Sequence, residues 1–452
     1  MPHLHLPGTT VQIWYDFPND RYTPNSTKPS VILLAPSMLN ATFLDPYVEA
    51  LRDDYALTVV ELRGLGRTIG GQSPDYDYWV AAADIAFLMN ALQLPPSHIF
   101  APGFSAFRTA IQFSILFPDQ ALSLSLVGAM SLFGPPRNAE AFQEVDAVWS
   151  NPEDEDLFVE CLGAVGEYVL TESSGREDVW DRAIPAIARH CNPFRQANIF
   201  LNTRPNQGCS GITPALLTEL RQPILLIHGG RDLCFPIEDI EEIRQHLTGS
   251  PDVRFYIEED APQLLAITHV ESVVPRLRQF LNDHRHLTHP NARFDPLDAL
   301  KCASRVTHNE EVAQRDPHCP DSFSLLADGE LRANQILWDK MMPRENACTL
   351  DLPMCHEKDD WEEGAKDQPR WTWSTRHEYA QQHYSRRPSL PSSLSEDGIQ
   401  VVEVTESRSA AHPRIPNGMT AARTSFIDSR RSSADVDAPT ADAVRAMSAL
   451  RV

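Results

Sequence analysis

The stretch HIFAPGFSAFRTAIQF, His98–Phe113, sets a β-rich run against a helical one with one tight turn between them. "HIFAPGF" reads as a short strand and "SAFRTAIQFSILF" as a helix. Gly103 supplies the turn, and Ser105 follows it by two residues. A serine on such a strand-to-helix turn exposes its hydroxyl above the sheet, and the helix N-terminus faces any negative charge that develops there. The plain structural reading is a small residue filling a tight turn.

Outward from this turn the same plan repeats. "TVQIWYDF" alternates like an early strand, and "SVILLAP" is an apolar run ended by Pro36, as a strand buried on both faces would be. "YALTVVELRGLGR", "YWVAAADIAFLMNALQL" and "LSLSLVGAM" continue as strand and turn, helix, and strand. This alternation predicts a mostly parallel central sheet flanked by helices, joined by right-handed crossovers. Between about Ser131 and Arg221 the β-runs stop and helical segments such as "DLFVECLGAVGEYVL" take over, which predicts an inserted helical cap. The sheet resumes with "PILLIHGGRD" and "VRFYIEED" and closes with a helix carrying Val270, Val273, Val274, Leu277, Phe280 and Leu281 at helical spacing. The expected organisation is a core of residues 1–134 and 221–285, a cap of residues 135–220, and a C-terminal extension of residues 286–452.

The turn at Ser105 resembles the nucleophile elbow of the α/β-hydrolase superfamily, and the resemblance spans about Val11–Arg285. A second motif agrees with it. In "ILLIHGGRDLCFP", residues His228, Gly229, Asp232 and Pro236 match the superfamily's His-Gly-x-x-Asp-x-x-x-Pro pattern, which implies Asp232 as the acid of a catalytic triad. The resemblance also implies an oxyanion hole made by the N–H groups of Ser37 and Ala106. The implied base is a histidine after the last strand. Measured back from Phe280 and Leu281, that slot falls on Gln263, which cannot take a proton at neutral pH. His269 is the substitute, six residues further on, a displacement of about 9 Å if those residues are helical. Its plain reading is a packing histidine beside Val273 and Leu277. For Asp232 the plain reading is a loop residue capping the helix that begins near Pro236.

Other departures are Phe107 and Arg108, where the elbow usually has glycines, Ala35-Pro36-Ser37 at the oxyanion loop, and Glu61 in "ELRGLGR", where many relatives have Asp. "APQLLAITH" is similar to the Pro-Gln of the NDR-type non-catalytic branch of the superfamily, which also carries a phosphorylatable tail. That branch lacks the nucleophile.

Bulk properties narrow the classes. A chain of 452 residues with net charge −23 at pH 7 repels nucleic acid and anionic membranes. Residues 1–285 hold 36 acidic and 19 basic side chains, so most of the acidity lies there. No apolar run is long enough to span a bilayer, the opening "MPHLHLPGTTVQIW" has no leader pattern, and eight scattered cysteines suit reduced thiols, so a cytoplasmic protein is expected. No cofactor or metal is expected: "GLGRTIGG" lacks the phosphate-loop lysine, and His318-Cys319 and Cys355-His356 lack zinc spacing. Beyond His286 prolines, serines and charges dominate and most of the tail is expected to be disordered, except residues 322–384. There Trp338, Trp361, Trp371 and Trp373 suggest docking on the core or on a protein partner. "SRRPSL" and "SRRSSA" place Ser389, Ser432 and Ser433 after paired arginines, a basophilic-kinase pattern.

Three readings follow. One is a serine hydrolase acting on a small ester, lactone or amide, with Ser105, Asp232 and His269, or another histidine such as His228, as its triad. A second is a non-catalytic hydrolase fold that binds a ligand or a protein. The third, an acyltransferase, needs the same triad as the first.

Overall fold

The computed structural model describes residues 2–19, 28–131, 136–171, 177–206, 212–345, 348–352 and 355. Among them eight strands form one sheet: β1 (His3–His5), β2 (Gln12–Asp16), β3 (Ser30–Leu34), β4 (Ala56–Val60), β5 (Ser97–Pro102), β6 (Ala121–Val127), β7 (Ile224–Gly229) and β8 (Val253–Glu258). Their order is β1-β2-β4-β3-β5-β6-β7-β8. β1 and β2 pair antiparallel, as do β2 and β4, and every pairing from β4 to β8 is parallel.

The central strands β3 to β7 are apolar on both faces because both faces are covered. Alternate residues point to opposite sides. Ile32, Leu34, Ile99, Leu124 and Leu226 join a core beneath helices α2 (Tyr78–Leu92) and α3 (Gly103–Leu116). Val31, Leu33, Phe100, Leu225 and Ile227 face α1 (Asp45–Leu51) and, later in the chain, the terminal helix of the core, Val270–Asp283. That terminal helix docks through Val273, Leu277, Phe280 and Leu281, the stripe that its spacing predicts. Burying each such side chain is worth roughly 1.5–3 kcal/mol.

The cap enters between β6 and β7 as α4 (Pro136–Ser150), α5 (Glu155–Leu170), α6 (Glu177–His190), α7 (Gln196–Thr203) and the short α8 (Pro214–Leu217). The core then resumes with α9 (Ile237–His246), a single turn α10 (Leu265–Thr268) and α11 (Val270–Asp283). Among the described residues no helix is long and apolar enough to cross a membrane.

The change of composition at His286 is not a change of order. Helices α12 (Pro296–Thr307) and α13 (Asp328–Glu345) follow it, and Leu300, Ala303, Val312, Phe323, Leu325 and Met341 are buried in the core beside α2 and α3. Phe294 and Phe323 explain this: they close an aromatic cluster with Phe87 and Phe117, ring centroids 4.9–6.4 Å apart. Of the tryptophan-rich stretch, Trp338 lies edge-on to Phe200 of α7 at 5.2 Å, a contact within this chain. Trp361, Trp371, Trp373, His356, Ser389, Ser432 and Ser433 lie outside the described residues. Cys319 donates to the Gly8 carbonyl, and among the described residues no cluster of three metal-ligating side chains forms.

Candidate active site

Strand β5 runs through Pro102, and α3 starts at Gly103 with φ +77°. The elbow residue is therefore Gly103: it alone at this junction holds the left-handed backbone that a sharp strand-to-helix turn demands. Ser105 is already helical, two residues along. A Cβ built on Gly103 would sit 2.9 Å from Ser37 Oγ, 3.2 Å from Ser37 N and 3.2 Å from Leu264 Cδ2. The side-chain position at the tip of the elbow thus points between the loop after β3 and the loop after β8, and glycine leaves it without a side chain.

This two-residue shift resolves the departure noted at Phe107 and Arg108. With Gly103 at the turn, the positions where the helix must approach the sheet are Ser105 and Ala106, which are small. Phe107 and Arg108 lie one step further, fully buried, with Arg108 Nη2 donating to the Ser131 carbonyl at 2.9 Å. The shift also removes Ala106 from the oxyanion hole. Pro102 is the N-cap of α3, so the Ala106 N–H falls on the first intrahelical bond instead of among the free first-turn donors.

Ser105 is buried and its hydrogen bonds go to Ser37 and Thr109. Its hydroxyl lies 2.8 Å from Ser37 Oγ, its N–H donates to Ser37 Oγ at 2.9 Å, and its carbonyl accepts from Thr109 Oγ1. No histidine is among these partners.

Asp232 stands in the loop after β7, where the motif places it, but its carboxylate serves its own loop. Oδ1 accepts from Cys234 N–H at 2.7 Å and from Phe235 N–H at 3.0 Å, just before α9. His228 is the nearby imidazole. Its Nε2 donates to the Phe235 carbonyl at 3.1 Å, which leaves Nδ1 as the bare nitrogen, 3.8 Å from Asp232 Oδ2. That separation exceeds a hydrogen bond. Burial lowers the His228 pKa to about 4, against the opposing Phe235 carbonyl, so the ring is neutral at pH 7.

Gln263 lies in the loop after β8, fully buried. Its Nε2 donates to the Gly128 carbonyl at the end of β6 at 3.0 Å, while Oε1 has no hydrogen-bond partner among the described residues. Gly128 permits this approach: it holds φ +71°, and a Cβ there would run into the Gln263 carbonyl. His269 is the N-cap residue of α11, half-buried, with Nδ1 2.8 Å from Thr268 Oγ1. The structure therefore brings Gly103, Ser37 and Leu264 together, seats Gln263 next to Leu264, and does not join Ser105, Asp232 and His269 into one hydrogen-bonded chain.

The end of cap helix α5 closes over these loops. Leu264 N–H donates to the Val169 carbonyl at 2.9 Å, Cys234 Sγ to Tyr168 O at 3.4 Å, and Thr171 Oγ1 to Arg231 O at 3.2 Å. Ser37, Gly103, Phe104, Gln263 and Leu264 are all buried beneath it. From the sequence, Gly103 is read as the turn's glycine and Ser105, not Gly103, as the elbow residue. The available signal for Gly103 was strand length, since a strand carried on to Pro102 puts the first φ-permissive residue, and hence the elbow, at 103.

No family model and no curated protein matches this chain. Among solved structures it is similar to the enol-lactonase from Burkholderia xenovorans LB400, at 16% identity over 62% of this chain and 100% of that one, with a TM-score of 0.51. It is similar to a thermophilic esterase from Thermogutta terrifontis at 18% identity, over 63% of this chain and 100% of the other, TM-score 0.51. A third likeness is to MGS-M2, an α/β hydrolase enzyme from a Medee basin deep-sea metagenome library, at 12% identity over 60% of this chain and 94% of that one, TM-score 0.52. At such identities the likeness is one of fold. Strand order, the helical cap between β6 and β7 and these likenesses together give the chain an α/β-hydrolase core.

Proposed function

We propose that this protein is a non-catalytic bearer of the α/β-hydrolase fold that acts as a binding scaffold. One observation carries the reading: the elbow residue is Gly103, whose missing side chain would have pointed between Ser37 and Leu264. Gln263, beside Leu264, takes the place of the histidine, and the neutral His228 gives its proton to a backbone carbonyl rather than orienting toward the elbow. Nucleophile and base act as a unit, and loss of both leaves only what backbone donors and binding supply.

The occupant favoured is a protein over a small acyl compound. Ser37, Phe104, Gln263 and Leu264 have almost no exposed surface, so the elbow offers little open surface to an acyl group. Burial of this kind suits a rigid body that presents its outer surface.

Turnover of a short-chain p-nitrophenyl ester and of a simple lactone tests the reading, with the Ser105→Ala variant alongside. The two proteins are expected to give rates within about twofold of each other, because Ser105 is not the elbow residue. A wild-type rate exceeding the variant by roughly 100-fold or more would restore Ser105 as a nucleophile, since removing a working nucleophile costs far more than that.

A further inference from the structure

We propose that residues 294–345 are a strap that fastens the cap, at α7, to the core. This goes beyond the scaffold reading and does not depend on whether the elbow is catalytic.

The segment touches the core first. Phe294 and Phe323 enter the cluster with Phe87 of α2 and Phe117 just beyond α3. Arg63, buried in the loop after β4, is held by Asp84 of α2 through two bonds of 2.7 Å, and its remaining Nη1 meets Asp321 of the strap at 2.7 Å. Two residues past Phe323, the Leu325 N–H donates to Asp77 Oδ2 at 2.7 Å, while the other oxygen of Asp77 caps α2 through Trp79 and Val80 N–H. Arg63, Asp84 and Asp77 are enclosed, and enclosed polar groups are costly unless each finds its partner, so this end of the strap is set in one register.

It then crosses to the cap. Asn334 is buried on α13 and uses both ends of one amide: Oδ1 accepts from Arg204 Nε, at the end of α7, at 2.6 Å, and Nδ2 donates to the Pro74 carbonyl of the core at 2.9 Å. One turn on, Trp338 lies edge-on to Phe200 of α7. Helix α7 is itself set on the core, with Asn202 Nδ2 donating to the Gly64 carbonyl at 3.0 Å and Asn198 Oδ1 accepting from Gln72 at 3.3 Å. The strap thus doubles a contact between cap and core that α7 already makes. Elements that open are those with few such ties.

Hydrogen exchange on the full chain, read peptide by peptide, tests this. In the Asn334→Ala, Trp338→Ala double variant, residues 196–206 are expected to exchange roughly tenfold faster, equivalent to ~1.4 kcal/mol of local opening. Residues 97–127, spanning β5 to β6, should keep their wild-type protection. Asn334→Asp keeps the acceptor for Arg204 and loses the donor to Pro74, so it should give a smaller change in the same peptides. If residues 196–206 keep wild-type rates in the double variant, the strap does not hold the cap. A uniform loss of protection over cap and sheet, in the double and the single variant alike, would equally overturn the proposal, by showing that these residues serve the whole fold.

Discussion

The turn after β5 and the loops after β7 and β8 face one another and depart from a hydrolytic centre in opposite ways. At the turn the backbone shape is kept and the side chain is gone: Gly103 holds φ +77° with nothing beyond Cα. In the loops polar side chains remain, and each is hydrogen-bonded to backbone. Asp232 accepts two backbone N–H groups, His228 donates to a backbone carbonyl, and Gln263 donates to Gly128. The turn is needed to pass from sheet to helix whatever the chemistry, whereas a carboxylate or an imidazole can be absorbed into local packing. Fold and reactivity are thus separable, and the corner is held by backbone contact.

That comparison predicts where substitutions hurt. The largest effect is expected at Gly128→Ala. A Cβ there meets the Gln263 carbonyl, which belongs to backbone and cannot turn aside, and the positive φ adds strain. With each contribution about 1–3 kcal/mol, a loss of about 4 kcal/mol by denaturant titration is expected. A change below about 1 kcal/mol would mean that the loops do not close on one another as described.

The next effect is a pH dependence. His228 has its folded pKa lowered by burial to about 4, below the ordinary value of 6.5. The unfolded chain therefore takes up a proton before the folded one does, and the stability present above pH 6.5 is lost as pH falls toward 4. The size is on the order of 3 kcal/mol. Asp77 and Asp84, raised by burial to about 7 and about 6, act in the other direction, favouring the folded state as pH falls. The measurement is therefore a difference. A His228→Gln variant keeps a donor for the Phe235 carbonyl, and between pH 6.5 and 4 it should lose less stability than wild type by that amount. Parallel curves would mean that the folded pKa of His228 is not lowered, so that the ring can take up a proton near neutral pH and serve as a partner of Asp232.

Much of the fold was legible. Apolar runs such as "SVILLAP" and "PILLIHGGRD", and the stripe from Val273 to Leu281, carry their own periodicity, and burial on both faces follows from it. The elbow was legible as a turn but misread by two residues, because a Gly-x-Ser match draws the eye to the hydroxyl and leaves the length of the strand uncounted. Gln263 was found by counting back from Phe280 and Leu281, but its contact with Gly128 depends on two strand ends meeting, which no local pattern encodes. The extension after His286 was misread for a related reason: Phe294, Phe323 and Asn334 are isolated in a polar sequence, and their partners Phe87, Phe117, Arg204 and Pro74 lie far away along the chain.

The most direct test of the central claim is the intact mass of the full chain after exposure to a fluorophosphonate, with a digest to locate any adduct. The account predicts an unmodified protein, because no activated hydroxyl stands at the elbow. A stoichiometric adduct on Ser105 would contradict it, and would require a base that reaches that serine in solution.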